Sequence, residues 1–385
     1  MALRDVAVVG VYATEQARKL PHRTSLDLAQ EAVLGAIADA GLQPHDVDGV
    51  AADWPGPGGM AGEASSWARV LGRPLNWVSD GLLDAAGVRG VMKAAAAISA
   101  GLCDVAVVGG GLAGQFGPGE KIGAASGRVV EFTDPFGAYV VPLFAMVAQG
   151  HMHRFGTTSE QIAMVSATIR NNGAKNPEAA MYGKGPYTTA DILTSPMVAS
   201  PLHLLDVCIA GEGGGAVVLT SVERARDLPH QPAALLGAGM ELSGAPYVSP
   251  PTYGTVGRLG ERAASRAFGM AGIAPTDVDV FNLYDPNSFE IIRQMEILGL
   301  CEEGEGGAFI EGGRIGLNGR YPTNPDGGCL SYAWNGTQQM TLKIVEAVRQ
   351  VRGTAVNQID GAGIAVAANA GSAAGHYEIA VLGKV

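Results

Sequence analysis

Four cysteines, Cys103, Cys208, Cys301 and Cys329, are the chain's only thiols, and none stands in a CxxC pair. Such sparse spacing builds neither a disulfide framework nor a zinc site, and it suits a reducing cytoplasm. Cys103 and Cys208 flank apolar runs and read as small core residues, whereas Cys329, in GGCLSY, and Cys301, at a helix end, stay open as nucleophiles. His151, His153 and His203 have no ligand-like context. Phenols and carboxylates remain. Tyr284 ends an apolar strand and is followed by Asp285; Tyr332 follows GGCLS. A phenol ionises near pH ~10, so it serves unaided as donor or acid, and as base only with a lowered pKa or a relay. At both positions a packed tyrosine with a satisfied hydroxyl is the competing reading. Asp285 reads first as a positioner of Tyr284 or of a loop. Asp84 opens a helix and reads as its N-cap, or else as a base or orienter in a pocket. The Gly-rich segments 109–111 and 371–375 let backbone N–H groups approach an oxygen closely, although tight packing explains the first nearly as well.

The elements that must carry these residues come in two copies. AGLQPHDVDGVAAD at 40–53 is echoed by AGIAPTDVDVFNLYD at 271–285. In each copy an apolar helix, over 25–40 and then 262–271, runs through a turn with Pro and Asp into a β-branched strand near Val47 or Val278. Later in each half a second helix feeds an apolar run ending in Gly, DVAVVGGG and AGIAVAANAG, which suits a strand buried on both faces. The expected fold is α/β: duplicated βα halves, 1–235 and 236–385, forming a five-layered αβαβα core with helices between two sheets. The segment over about 112–201 is richer in turn residues and aromatics, and reads as an inserted loop domain roofing the site.

Composition agrees with close packing in layers: of 385 residues 47% are hydrophobic, 16% charged, and 56 are glycine. A net charge of -11 disfavours a nucleic-acid binder, since phosphate recognition needs a concentrated Lys and Arg excess. The first residues lack the basic-then-apolar layout of a signal peptide, and the apolar stretches are too short and interrupted to span a membrane.

Four stretches resemble the thiolase superfamily, specifically its sterol-carrier-protein-like and lipid-transfer-protein branch, over almost the whole chain. GVMKAAAAISAGLCDVAVVGGG is similar to the family segment after the nucleophile, and SPLHLLDVCIAGEGGGAVVLTS to the segment closing the first half. NLYDPNSFEIIRQMEILGL is similar to the branch's His-Asp-Cys-Phe motif and its helix, and TNPDGGCLSYAWNGTQQM to the run leading into the Gly-His-Pro loop. The departures carry the chemistry. Asp84 stands where the family has its cysteine nucleophile, Tyr284 replaces the His of His-Asp-Cys-Phe with Asp285 retained, and Tyr332, Ala333, Trp334, Asn335 and Gly336 replace the Gly-His-Pro loop. The C-terminal loop, Asn369 to Gly375, has no acid–base cysteine.

The resemblance therefore implies an acyl-CoA enzyme that forms no acyl-enzyme. A retro-aldol cleavage of a β-hydroxyacyl-CoA needs only a base at the hydroxyl, donors to the thioester enolate and an acid at the α-carbon. Catalytic candidates are Tyr284, Tyr332 and Asp285; candidates for substrate binding and the oxyanion are Asp84, Asn369, Gly371 and Ser372. Cysteine-less members of this branch include aldolases of actinobacterial steroid side-chain degradation, which imply a 17-hydroxy steroid-carboxyl-CoA substrate giving a ketosteroid and propionyl-CoA or acetyl-CoA. They also imply a homodimer, a zinc-ribbon and OB-fold partner, and no cofactor beyond the CoA of the substrate. A non-catalytic acyl-CoA or lipid binder and an acyltransferase with a displaced nucleophile are the rival readings.

Overall fold

The computed structural model describes residues 3–53, 66–79, 86–114, 140–243 and 251–385. Nine strands, β1 (Val6–Ala13), β2 (Gly49–Asp53), β3 (Trp77–Val78), β4 (Val105–Leu112), β5 (Gly213–Ser221), β6 (Ala233–Leu242), β7 (Val280–Leu283), β8 (Ile364–Asn369) and β9 (His376–Lys384), join in the order β3-β2-β4-β5-β1-β6-β9-β8-β7. The principal helices are α1 (Ser25–Asp39), α2 (Gly87–Ser99), α3 (Val140–Phe155), α4 (Ser159–Ala174), α5 (Glu261–Ala271), α6 (Phe289–Ile297) and α7 (Gln339–Arg352).

The strand order is the same pattern twice. β2-β4-β5-β1 and β7-β8-β9-β6 each begin with a parallel pair and continue with two antiparallel ones. The halves meet where β1 and β6 pair through Ala7 with Ala234 and Val8 with Ala233. Because the strand Ala233–Leu242 opens the second copy, the junction falls in the turn before it, and a cut at 235/236 would divide that strand. The sequence echo has a local cause. In each copy the first Asp closes the turn after the helix: Gln43 N donates to Asp46 Oδ2, and Ala274 N to Asp277 Oδ2, both at 2.8 Å. The second Asp anchors the start of the next parallel strand: Asp48 accepts from Asp104 N and Val105 N, and Asp279 accepts from Gly363 N and Ile364 N, all at 2.9 Å.

Alternation along the strands builds three cores from one sheet. Val6 and Val8, Ala106 and Val108, Val217 and Leu219, Ala365 and Ala367, and Ala380 and Leu382 face a central core with α2 and α7. Their neighbours in the first half, among them Ala7, Val9, Val105, Val107 and Val218, face α1. In the second half Val366, Ala368, Ile379 and Val381 face an outer core with α5 and α6. Since α2 and α7 touch strands of both halves, the layers run α1, half-sheet, α2 with α7, half-sheet, α5. Strands buried on both faces need no polar alternation, which is why they read as continuous apolar runs.

The described part of 112–201 differs from the loop-rich expectation. It contains α3 and α4, the latter opened by a reciprocal capping box between Thr158 and Gln161. Leu143, Phe144, Val147, Ile162 and Ile169 from these helices lie in the second half's outer core. His151 is buried there between Glu296, at 3.0 Å, and Thr157, at 2.9 Å, a core histidine rather than a ligand. Among the described residues no helix is long and apolar enough to cross a membrane.

Candidate active site

Neighbouring strand ends of the second half line up the polar groups. β7 and β8 run parallel with Leu283 paired to Ala368, so the next residues, Tyr284 and Asn369, emerge side by side; Tyr284 N donates to Ala368 O at 2.9 Å. Asn369 is paired in turn with Glu378 on antiparallel β9. His376 lies two residues before Glu378 and so shares its face, turned to the central helix layer. The start of α2 lies against these ends: Ala86, Arg89, Met340, Asn369, His376 and Glu378 line one small cleft. Ala86 caps α2 without a side-chain hydrogen bond.

Tyr284 is 5% exposed, and the indole Nε1–H of Trp334 donates to its hydroxyl oxygen at 3.1 Å. Trp334 is held by its backbone, its N–H bonding Ile209 O at 2.8 Å and its carbonyl accepting from Gly211 N at 2.9 Å. Asp285 departs from the catalytic grouping. Its fully buried carboxylate accepts from Cys329 N at 2.8 Å and Leu330 N at 3.1 Å, and pairs with Lys343 Nζ at 2.9 Å. Burial opposes the charge on Lys343, but Asp285, with Cys329 and Asp326, more than offsets it and holds the ammonium above its usual range. Asp285 therefore positions the one-turn helix Gly328–Ser331, and with all these sites engaged it is not placed to exchange protons with a ligand. Only glycine fits at Gly328, where φ is +58° and a Cβ would lie 2.2 Å from Asp285 Oδ2.

Tyr332 does not meet Tyr284. It packs with Ala179 and Leu342, and its hydroxyl donates to Glu178 Oε2 at 3.2 Å. Burial, and then the charge of Glu178, pushes this phenol well above its ordinary value. The residue from that loop which reaches Tyr284 is Trp334. Sequence reasoning passed over it because the search was for titratable groups, and an indole N–H is a donor only.

Asn369 is 1% exposed, yet among the described residues neither Oδ1 nor Nδ2 has a hydrogen-bond partner. Such buried amide atoms call for an explanation, and a bound ligand is one. Gly371 begins the turn Gly371–Ala374, where Ala373 and Ala374 are held at φ +54° and +65°, a region costly for residues with a Cβ. Ser372 lies in that turn, with its side chain outside the description, and Asp84 lies outside the described residues. The other Gly-rich segment is packing: a Cβ on Gly109 would lie 2.3 Å from Gly215 O, and one on Gly111 2.5 Å from Ala29 N.

The four thiols are poor nucleophiles. Burial pushes Cys103, Cys208 and Cys301 up to about 12, with nearby carboxylates adding to it. Burial, and then Asp285, pushes Cys329 well above its ordinary value, and its Sγ donates to Gln339 Oε1 at 2.9 Å.

One imidazole was missed. His376, 5% exposed, shares a hydrogen bond at 3.0 Å between Nδ1 and Glu378 Oε2, while its Nε2 has no partner among the described residues. Arg89 binds the other oxygen of Glu378, its Nε donating at 3.0 Å. Burial works to raise Glu378, but the bond from His376 and the charge of Arg89 outweigh it and hold the carboxyl below its usual range. The signal was present in the sequence as His-x-Glu opening an apolar strand, a spacing that puts both side chains on one face.

A two-fold repeated half-sheet with a central helix layer, and a site at its strand ends, is the arrangement of the thiolase fold. Residues 255–384 match the family model for the thiolase C-terminal domain-like family. The steroid side-chain-cleaving aldolase of Thermomonospora curvata is 35% identical over 377 residues, covering 91% of each chain. The 17-hydroxy-3-oxo-4-pregnene-20-carboxyl-CoA lyase of Mycobacterium tuberculosis is 34% identical, covering 93% of this chain and 94% of that one. The solved structure of an Ltp2-ChsH2(DUF35) aldolase superposes with a TM-score of 0.86 at 34% identity, over 99% of this chain and 98% of that one. The chain belongs to the thiolase superfamily.

Proposed function

We propose that this protein is a carbon–carbon lyase that cleaves a β-hydroxyacyl-CoA by retro-aldol chemistry. The reading is carried by one arrangement: at neighbouring strand ends stand Tyr284, its phenol oxygen held by an indole N–H, and Asn369, a buried amide with no hydrogen-bond partner among the described residues, in a thiolase-fold chain whose four thiols are all pushed up by burial. In this reading the thioester lies at the start of α2, where its oxygen takes hydrogen bonds from Asn369 Nδ2 and from first-turn N–H groups after Gly87, whose own N–H donates to Thr341 Oγ1 at 3.0 Å. Gly371 and Ser372 follow Asn369 in the turn Gly371–Ala374. The β-hydroxyl lies towards Tyr284. As the hydroxyl proton leaves, the bond between the α- and β-carbons breaks, its electrons pass into the thioester enolate, and a proton is returned to the α-carbon.

By likeness to the relatives, the substrate is a 17-hydroxy steroid-carboxyl-CoA and the products are a ketosteroid and propionyl-CoA, or acetyl-CoA for a shorter side chain. The reading extends to a cytoplasmic homodimer assembled with a zinc-ribbon and OB-fold partner, needing no cofactor beyond the substrate's own CoA, and of these the likeness to the Ltp2-ChsH2(DUF35) aldolase supports a partner chain. Incubating the chain, with and without that partner, with the 17-hydroxy steroid thioester tests the reading by mass spectrometry. Ketosteroid release is expected. Binding without turnover would favour an acyl-CoA binding protein, and an acylated protein mass would favour an acyltransferase.

A further inference from the structure

Retro-aldol cleavage has two proton tasks, and the structure leaves one of them without the phenol expected for it. Tyr284 stands at the strand end next to Asn369, but the hydroxyl of Tyr332 is bound to Glu178. Among the described residues lining the cleft, the titratable group with an unpartnered ring nitrogen is His376. Its Nδ1 is bound to the Glu378 carboxylate, which fixes the proton on Nδ1 and leaves the Nε2 lone pair free. Nε2 abuts the Gly371 turn so closely that a Cβ on Gly371 would lie 2.3 Å from it. Arg89, in the first turn of α2, locks Glu378 in place. Together they form a carboxylate–imidazole pair that lines the same small cleft as the Asn369 amide, with Nε2 against the Gly371 turn.

We propose that His376 is the group that exchanges the proton at the α-carbon, with Glu378 positioning it and Tyr284 serving the β-hydroxyl. The inference rests on the lyase reading above. The assignment of tasks follows from place: His376 shares the cleft with Asn369 and the start of α2, where the thioester oxygen is bound, and the α-carbon is attached directly to that thioester carbon. Tyr284 stands further along the row of strand ends, where the β-carbon falls. Cleavage starts with Tyr284 as phenolate and a proton on His376 Nε2: the phenolate takes the hydroxyl proton as the bond between the α- and β-carbons breaks, and the enolate takes the Nε2 proton, which leaves Tyr284 as a phenol and Nε2 with its lone pair. One proton passing between the two groups through solvent resets the site.

By microscopic reversibility, a group that protonates the enolate also removes an α-proton from the product thioester. The full chain incubated with propionyl-CoA in D2O should therefore wash deuterium into the α-position, read by mass spectrometry. His376→Gln should lower that exchange about 10²–10⁴-fold, with propionyl-CoA binding retained by calorimetry, while Tyr284→Phe should leave exchange within a few-fold and lose cleavage. Imidazole added to His376→Ala should restore part of the exchange. Undiminished exchange in His376→Gln, or no rescue of His376→Ala, would overturn the inference. Wild-type chain that exchanges propionyl-CoA but leaves the steroid thioester intact would uphold His376 and sink the lyase reading. Cleavage by wild type together with full cleavage and exchange in His376→Gln would do the reverse.

Discussion

At the end of β4, Gly109 and Gly111 are pressed against Gly215 and against α1, so that a Cβ at either would lie within 2.5 Å of backbone atoms. At the equivalent end of β8 in the second half, Asn369 leaves both amide atoms unpartnered and the turn after it runs against an imidazole ring. One strand-and-loop unit was thus copied, and its two versions have diverged: the first is filled by packing, the second holds polar groups that its own fold does not satisfy.

Substitutions can break this contrast, and the largest effect is expected at the second site. Tyr284→Phe should lower kcat about 10²–10⁴-fold without moving the thermal midpoint appreciably; near-normal turnover would remove Tyr284 from the mechanism. Lys343→Met leaves Asp285 buried without its counter-ion, and removing one partner of a buried pair costs about 3–5 kcal/mol, to be read by denaturant unfolding. Gly109→Ala should cost at least about 1–3 kcal/mol through overpacking while the folded fraction keeps its specific activity. Gly371→Ala should do the opposite, losing turnover more than stability by displacing the His376 ring. If both alanines act through stability alone, the contrast between the halves fails.

A smaller effect tests the central helix layer. Burial, with Asp326 alongside, raises Glu346 to about 8. The folded protein therefore keeps a proton there that the unfolded chain, with an ordinary glutamate near ~4.3, has already released. This contribution is fully present below the unfolded value and is lost as pH rises through about 8, so stability should decline across that window. Glu346→Gln should flatten the decline, measured as unfolding free energy against pH. The smallest effect belongs to the thiols: replacing all four cysteines by serine or alanine should leave steroid thioester cleavage within a few-fold.

The duplication was legible because its signal is local: two aspartates in each echo have fixed jobs, one closing a turn and one anchoring a strand. Tyr284 was legible for a similar reason, standing where an apolar strand stops. Tyr332 misled because it sits in a short turn, where two positions of displacement change the direction of a side chain, and Trp334 two residues on is the one that meets Tyr284. His376 and Glu378 were hidden by their strand, whose apolar remainder reads as core. Helices α3 and α4 were missed because their packing partners, Tyr253 and Phe289 among them, lie a hundred or so residues further along the chain, and such tertiary burial leaves little local trace.

Asp285 carries a further consequence. By gripping the Gly328–Ser331 turn and Lys343 together, it ties the two loop motifs into one rigid mount, independent of the residue just before it. The position after Leu283 then behaves as an interchangeable fitting: imidazole or phenol can be presented at the same point without rebuilding what surrounds it. A fold so arranged can exchange one reaction for another by replacing the working tip and leaving the handle alone.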